Sequence, residues 1–560
     1  MSKNNSTEEI HLKLLPQKLL NHLSVKMSIE SLVLLTSLYF AIVINFPFIT
    51  RMHELADPAH VIFSLTPFAA LTGAFLVIFT LFSFKYIFKP VIIFILLSSA
   101  SATYAMMKYN VLFDYSMVEN IFQTNIAEAN SYINLRSFLY LFFLAFIPAL
   151  FIALVEIKWT DSWLKGLLHR TGMIVIGFAI LGIIAAFFYK DYASVGRNNH
   201  YLNKMILPTH LYYAGRYINN TYFVKPLAFK VMGEDAKIIK SDNNKPTLMV
   251  LVVGETARSE NIAYNGYERN TNPYTENLAI ISFQNVSSCG TATAHSLPCM
   301  FSSLTHKNYD HKKVNAQSNV LDIMQHAGID VIWYENDGGH KNVAQRINKE
   351  EVSTSSANPL CDGSVCVDEV LVDKLKEQLA TQPAKDSLIA FHLIGSHGPT
   401  YWKRYPTEME TFKPACRRSD IENCSDQEIV NVYDNTLVYT DYVLAKTIKV
   451  LEEYEDRYNV VMLYVSDHGE SLGENGLYLH GTPYAFAPEE QTKVPLFIWL
   501  PDSYADVKGI NKSCLSDAAK QQSFSHDNLF HTLLGLYGVT TEVKDAQLDM
   551  TANCMDSDKK

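Results

Sequence analysis

Asp467 and His468 stand side by side at the end of the apolar run Asn459–Tyr464 and its continuation Val465-Ser466. A run of that kind reads as a strand buried on both faces. An aspartate next to a histidine is a good donor pair for a divalent metal, zinc above all. A glycine-rich stretch follows, Gly469-Glu470-Ser471-Leu472-Gly473-Glu474-Asn475-Gly476, and it leads to a second histidine, His480. Taken alone, the pair also reads as an N-capping aspartate beside a surface histidine. Two further strand ends carry residues of the same type. Thr247–Val253 runs into Gly254-Glu255-Thr256, and Ser387–Leu393 leads to His397 in Gly395-Ser396-His397-Gly398. The carboxyl ends of parallel strands meet along one edge of a sheet, so a metal site built from Glu255, Asp467, His468 and His397 is geometrically natural.

A nucleophile is sought in Ser288-Cys289-Gly290-Thr291-Ala292-Thr293-Ala294-His295-Ser296-Leu297-Pro298-Cys299. A hydroxyl attacks poorly at its own pKa and needs a base or a metal. A helix starting at Thr293 would aim backbone N–H groups at an anion. A helix-capping threonine is the plainer alternative, and spacing alone does not choose between Thr291, Thr293 and Ser296.

The elements that must position these residues follow from hydrophobic patterning. Apolar runs near 29–50, 61–83, 87–107, 136–156 and 171–189 each approach the roughly 20 residues of a membrane-spanning helix. Basic residues favour the N-terminal arm (Lys13, Lys18, Lys26), the second-to-third connection (Lys85, Lys89) and the fourth-to-fifth (Lys158, Lys165, Arg170). By the positive-inside rule the N-terminus is cytoplasmic, and five spans deliver the remainder outside. The first run is too long for a signal-peptide core and no small-residue cleavage site follows it, so it reads as a retained anchor. Residues 191–245 alternate Tyr201, Met205, Leu211 and Tyr212 with polar residues and read as interfacial amphipathic helices and a linker. From Pro246 strands alternate with helices, including Val320–Met324, Val370–Leu379 and a long Val432–Tyr454, with Val331–Tyr334 and Val494–Leu500 as strands. The expected architecture is therefore a transmembrane domain of five helices over 1–190, a linker over 191–245, and an α/β domain with a largely parallel sheet over 246–560.

All eight cysteines lie at or beyond Cys289, in the exported part. An even number there suggests disulfides in an oxidising compartment. Close spacing favours Cys289–Cys299, Cys361–Cys366 and Cys416–Cys424, and leaves Cys514 with Cys554. The net charge of -10 gives no reason to expect a nucleic-acid partner. Between the third and fourth spans, Asn120, Thr124 and Glu128 are four apart, so on a helix they would share one polar face at the membrane boundary. Spacing alone favours a solvated interfacial helix there.

Gly254-Glu255-Thr256-Ala257-Arg258, Cys289-Gly290-Thr291-Ala292-Thr293, Gly395-Ser396-His397-Gly398-Pro399-Thr400-Tyr401 and Ser466-Asp467-His468-Gly469-Glu470-Ser471 together resemble the membrane phosphoethanolamine transferases. These belong to the alkaline phosphatase and sulfatase superfamily, and the likeness is nearest to the lipid A transferases that include the colistin-resistance enzymes. It covers nearly the whole chain. The resemblance implies an alkaline phosphatase-like domain in which Glu255, Thr293, Asp467 and His468 bind one zinc and Thr293 is the nucleophile. His397 and His480 would contact the phosphoryl group or a second, more weakly held zinc. Lys341, in Asn336-Asp337-Gly338-Gly339-His340-Lys341, would line the site, and the region of His397, His480 and Lys341 would be positively charged. Several relatives have a cysteine pair in this loop, where this chain has His340 and Ala344. Asn120, Thr124 and Glu128 would hold a lipid headgroup.

The implied activity transfers phosphoethanolamine from phosphatidylethanolamine to a lipid A phosphate through a phospho-threonine intermediate. It would be carried out by a monomer in the bacterial inner membrane with its catalytic domain in the periplasm, and it would confer polymyxin resistance. A sulfatase would need a Cys or Ser in a C-x-P-x-R setting, which Cys289-Gly290-Thr291 and Cys299-Met300-Phe301 lack. A transferase acting on another envelope glycan, of glycerol-phosphate polymerase type, is the nearer alternative. A non-catalytic membrane sensor would have lost one of Glu255, Thr293, Asp467 or His468, and all four are present.

Overall fold

The computed structural model describes residues 25–556 apart from 56–60, 110, 125–128, 130, 131, 200, 226, 240–242, 419 and 420. The backbone divides into two bodies, Met1–Met107 with Leu135–Tyr212, and Lys108–Asn134 with Tyr213–Lys560.

In the first body, helices Ile62–Leu81, Phe88–Tyr109, Leu135–Leu154 and Trp163–Tyr189 are long and apolar enough to cross a bilayer. The pair Ile29–Ile44 and Phe46–Leu55 makes a fifth if taken as one span. Large apolar side chains such as Phe94, Phe138 and Phe187 are more than half exposed, which suits lipid and not water. The first expected span, 29–50, is not straight: it bends by 59°. Its helix passes through a π-turn at Phe40–Ile44 and stops at Asn45. The buried Asn45 amide donates to Phe40 O and Leu207 O (3.0 Å each) and accepts from Leu207 N (2.7 Å), a local alternative to the helix ladder. Pro47 then lacks the N–H that continuation would use. The last expected span, 171–189, is the middle of a helix running Trp163–Asn198, whose start is capped by Ser162 Oγ accepting from Lys165 N.

The second body is built on a seven-stranded sheet. In chain order its strands are β1 (Thr247–Gly254), β2 (Ile281–Phe283), β3 (Asp330–Glu335), β4 (Asn348–Glu351), β5 (Ser387–His392), β6 (Asn459–Ser466) and β7 (Leu496–Trp499), arranged β2-β7-β6-β1-β5-β3-β4. Every pairing from β6 through β4 is parallel, and β7 is antiparallel to both its neighbours. Alternate side chains of β1 serve two cores. Met249, Leu251 and Val253 pack on one face and Leu248, Val250 and Val252 on the other, all fully buried. Helices Val320–His326 and Leu529–Tyr537 cover the first face, and Glu369–Thr381 and the long helix Asp426–Glu452 cover the second. That long helix begins six residues before the expected Val432. Ser425 Oγ accepts from Glu428 N while the Glu428 carboxylate accepts from Ser425 N, a capping box that fixes the start.

Cross-strand register sets the sheet's carboxyl edge. Ser466 pairs with Gly254, Val253 with His392, and His392 with Glu335. Residues at or just past these positions therefore share one edge. Four disulfides, Cys289–Cys299, Cys361–Cys366, Cys416–Cys424 and Cys514–Cys554, stitch the loops around this body.

Candidate active site and metal centre

Glu255 follows β1, Asp467 and His468 follow β6, and Thr293 opens a helix, α1 (Thr293–Met300). The chain turns sharply to bring them together. Thr256, immediately after Glu255, sits at φ 60°, a left-handed conformation that a β-branched residue adopts only when its surroundings impose it. Its N–H donates to Asp467 Oδ1 (3.2 Å) and its hydroxyl to Glu255 Oε1 (2.6 Å). Gly395, on the loop leading to His397, lies so close that an added Cβ would be 2.7 Å from Glu255 O, which only glycine permits.

Thr293 Oγ1 lies 3.3 and 3.1 Å from the two Glu255 oxygens and 3.3 Å from His468 Nε2. His468 Nε2 is 3.4 Å from both Glu255 Oε1 and Asp467 Oδ2. Glu255, Asp467 and His468 are fully buried, and Thr293 is 9% exposed. The other two candidate hydroxyls are spent on backbone: Thr291 donates to Thr482 O (2.6 Å) and Ser296 to Asp467 O. Of the three, Thr293 alone faces the carboxylates.

The cluster tests well as a metal centre. Asp467 Oδ2 is buried and accepts no hydrogen bond, a costly state unless something else satisfies it. One ligand atom from each of Glu255, Asp467 and His468 lies within 4.8 Å of the others. Two carboxylates and an imidazole beside a hydroxyl suit a divalent transition metal. Burial opposes charge here, yet the Asp467 and Glu255 carboxylates lift His468 to about 10, while burial and Glu255 push Asp467 up to about 7. The carboxylates thus hold a proton on the imidazole where a cation would take its place. A second grouping, Cys289 with His295 and His306, offers no thiolate, because Cys289 is in a disulfide.

The remaining expected residues are placed as follows. The His480 ring is centred 4.4 Å from that of His468 and 6.0 Å from that of His397, so the three imidazoles form a row. His397 is not the positive group expected. Burial pushes it down to about 3, so near neutral pH the ring carries no charge. Lys341 is half-buried at φ 42° in the loop after β3. Asn120 and Thr124 do not share a continuous helical face. The helix Tyr115–Gln123 ends before Thr124, whose N–H and hydroxyl both bond to Asn120 O (2.8 Å each) and close the last turn. Glu128 lies outside the described residues.

Sequence reasoning overlooked three groups. The fully buried Glu470 accepts from Tyr401 OH and lies 2.8 Å from His480 Nδ1, fixing that ring. His526 accepts from Cys289 N at Nδ1 (3.1 Å) and donates from Nε2 to Ser466 O (2.9 Å), tying the Thr293 loop to the end of β6. Arg258 donates to Glu470 O (3.2 Å) and pairs with Glu474 (2.6 Å). Glu470 and Arg258 sit inside the motifs themselves, but only the folded loop shows their partners. Nothing in the local sequence marks His526.

The sheet, its carboxyl-edge cluster and the hydroxyl at a helix start define the alkaline phosphatase and sulfatase class, and residues 247–539 match the sulfatase family. Residues 71–222 match the family described as phosphoethanolamine transferase EptA/EptB. The phosphoethanolamine transferase EptA of Escherichia coli K12 is 39% identical over 93% of this chain and 96% of its own length. The phosphatidylethanolamine transferase Mcr-1 of Escherichia coli is 36% identical over 89% and 92%. The integral membrane lipooligosaccharide phosphoethanolamine transferase A of Neisseria meningitidis superposes with a TM-score of 0.89 at 35% identity, covering 95% of this chain and 99% of that one. The chain belongs to the membrane phosphoethanolamine transferases.

Proposed function

We propose that the protein moves phosphoethanolamine from phosphatidylethanolamine to a phosphate of lipid A, with Thr293 as the group that carries it between the two. The observation that supports this best is the placing of Thr293 Oγ1 against Glu255 and His468, beside an Asp467 oxygen with no hydrogen bond. Glu255, Thr293, Asp467 and His468 would hold one zinc ion. When bound, it lowers the pKa of a coordinated hydroxyl and offsets charge on phosphoryl oxygens.

In the first half-reaction Thr293 Oγ1 attacks the donor phosphorus. The bond from phosphorus to the diacylglycerol oxygen breaks, and the leaving oxygen takes up a proton. Backbone N–H groups at the start of α1 point toward the transferring anion. His480 is held at Nδ1 by Glu470, which leaves Nε2 for the substrate. His397 and His480 would contact the phosphoryl group or hold a second, weaker zinc, and Lys341 would line the site. In the second half-reaction an oxygen of the acceptor phosphate attacks the phospho-threonine and restores the hydroxyl. Asn120, Thr124 and Glu128 would meet the lipid headgroup.

Names of relatives support the choice of substrates: Mcr-1 is called a phosphatidylethanolamine transferase, and the meningococcal protein acts on lipooligosaccharide. Residues 1–190 would anchor the chain in the inner membrane with the N-terminus cytoplasmic, 191–245 would lie at the interface, and 246–560 would work as a monomer in the periplasm. The added amine lowers the acceptor's negative charge, so polymyxins bind the modified surface less well.

Mass spectrometry of lipid A from cells carrying the wild type and Thr293→Ala tests the reading. A phosphoethanolamine increment is expected with the wild type alone. Its absence from both, with the protein folded in the membrane, moves the acceptor to another envelope glycan.

A further inference from the structure

Glu255 has a second neighbourhood. On the side away from Asp467 the next strands are β5 and β3, whose cross-strand pair is His392 and Glu335. Glu335 is saturated: it accepts from Trp333 Nε1 (2.9 Å), from the N–H groups of Asp337 (2.8 Å) and Gly338 (3.1 Å), and lies 2.9 and 3.0 Å from His392 Nδ1. The ring of His392 is thereby locked. Its other nitrogen, Nε2, is fully buried and has no hydrogen-bond partner. It lies 3.9 Å from Asp337 Oδ2, beyond hydrogen-bond reach, and the other oxygen of Asp337 is likewise buried and unpartnered. Ligand atoms of Glu255, Asp337 and His392 all lie within 4.8 Å of one another.

We propose that Glu255, Asp337 and His392 form a cation site of their own, which takes a divalent transition-metal ion of the zinc or manganese kind and shares Glu255 with the Thr293 cluster. A core histidine with a structural role bonds through both nitrogens, and His392 bonds through one. A ring anchored at Nδ1 by a carboxylate, with a bare Nε2 3.9 Å from the carboxylate of Asp337, is the arrangement that outer carboxylates impose on metal-binding imidazoles. A separation of 3.9 Å between Nε2 and Oδ2 leaves room for an ion bonded to both at about 2.1 Å. Charge points the same way. Glu255, Asp467, Glu335 and Asp337 bring four buried carboxylates to one edge, and an ion at Thr293 neutralises two of them. This site involves neither His397 nor His480. Its test reads metal binding, so it stands or falls apart from the transfer reaction.

The full chain in detergent, stripped with chelator, is titrated with Zn2+ against a chromophoric competitor and with Mn2+ by the resonance of the free ion. A His397→Ala/His480→Ala background removes any ion held by that pair. Two equivalents are expected in this background. Adding His392→Gln or Asp337→Asn should weaken one of them about 100-fold or more, while Asp467→Asn weakens the other. Melting of each stripped variant reports its fold. Should His392→Gln not fold, the near-isosteric Asp337→Asn decides. An anomalous-scattering peak beside His392 Nε2 in metal-soaked crystals is the matching structural result. A single equivalent in the background, or two that both variants leave unchanged, overturns the proposal and leaves His392 as a buried imidazolium between carboxylates.

Discussion

The two sides of Glu255 make an instructive pair. Toward β6 it meets Asp467, His468 and the hydroxyl of Thr293, which is the least buried member of that cluster. Toward β5 and β3 it meets Asp337 and the His392–Glu335 pair, which is sealed and clamped by backbone N–H groups. Both sides collect carboxylates and an imidazole from the same sheet edge. Only the first adds a free-standing hydroxyl, that of Thr293. The same ligand types recur on both sides, and the hydroxyl at the start of α1 is what distinguishes the side proposed to react.

Substitutions can break or sharpen this contrast. The largest effect belongs to Thr293→Ala, expected to lower transfer by about 10^3-fold or more with melting unchanged, since nucleophile deletions are that costly. Lipid analysis alongside thermal unfolding checks both halves. On the sealed side the expected loss is in stability. Burial opposes charge on Glu335, but His392 and the N–H donors hold its carboxyl down at about 2, below the ordinary 4.5. Such a group stabilises the fold fully above about pH 4.5, and that contribution disappears as pH falls toward 2. Glu335→Gln should thus cost about 3 kcal/mol near neutral pH and little at the acid end. A denaturation series across pH that shows a constant deficit would remove ionisation from the explanation.

A smaller effect is expected where the reactive side is supported from behind. Glu470→Gln loosens His480 and should lower transfer roughly 10- to 100-fold while the Glu255–Asp467–His468 cluster keeps its metal. Loss of that metal would mean Glu470 acts on the cluster itself. Smallest of all, Ser296→Ala removes a bond to Asp467 O and should cost about 1 kcal/mol of stability, with transfer largely retained. A collapse of transfer equal to that of Thr293→Ala would put the hydroxyl assignment in question.

Glu255, Asp467 and His468 were legible because each ends a strand buried on both faces, where apolar residues stop abruptly and a charged one must be explained. His392 is also a ligand-type residue at a strand end, but it lies within the run Ser387–Leu393 and passes for part of the strand. Its partner Glu335 closes β3 in the same way, and only the register shows them side by side. Strand β4, Asn348-Lys349-Glu350-Glu351, is exposed and wholly polar and has no alternation to betray it. The bend in the first span rests on Asn45 reaching Leu207, far along the chain and invisible to a hydropathy window. The long helix was seen but begun too late, because its capping box lies ahead of the apolar period.

The second body is discontinuous in sequence, since Lys108–Asn134 precedes the rest of it by two long apolar helices. Within that early piece Glu119 is 6% exposed and paired at 3.0 Å with His311, a residue 192 positions further on. During synthesis Glu119 is therefore made long before the residue that contacts it. A gene cut after the last apolar helix would encode a body without the helix Tyr115–Gln123 and without Glu119, the partner of His311; joining that segment back through a flexible tether would return both.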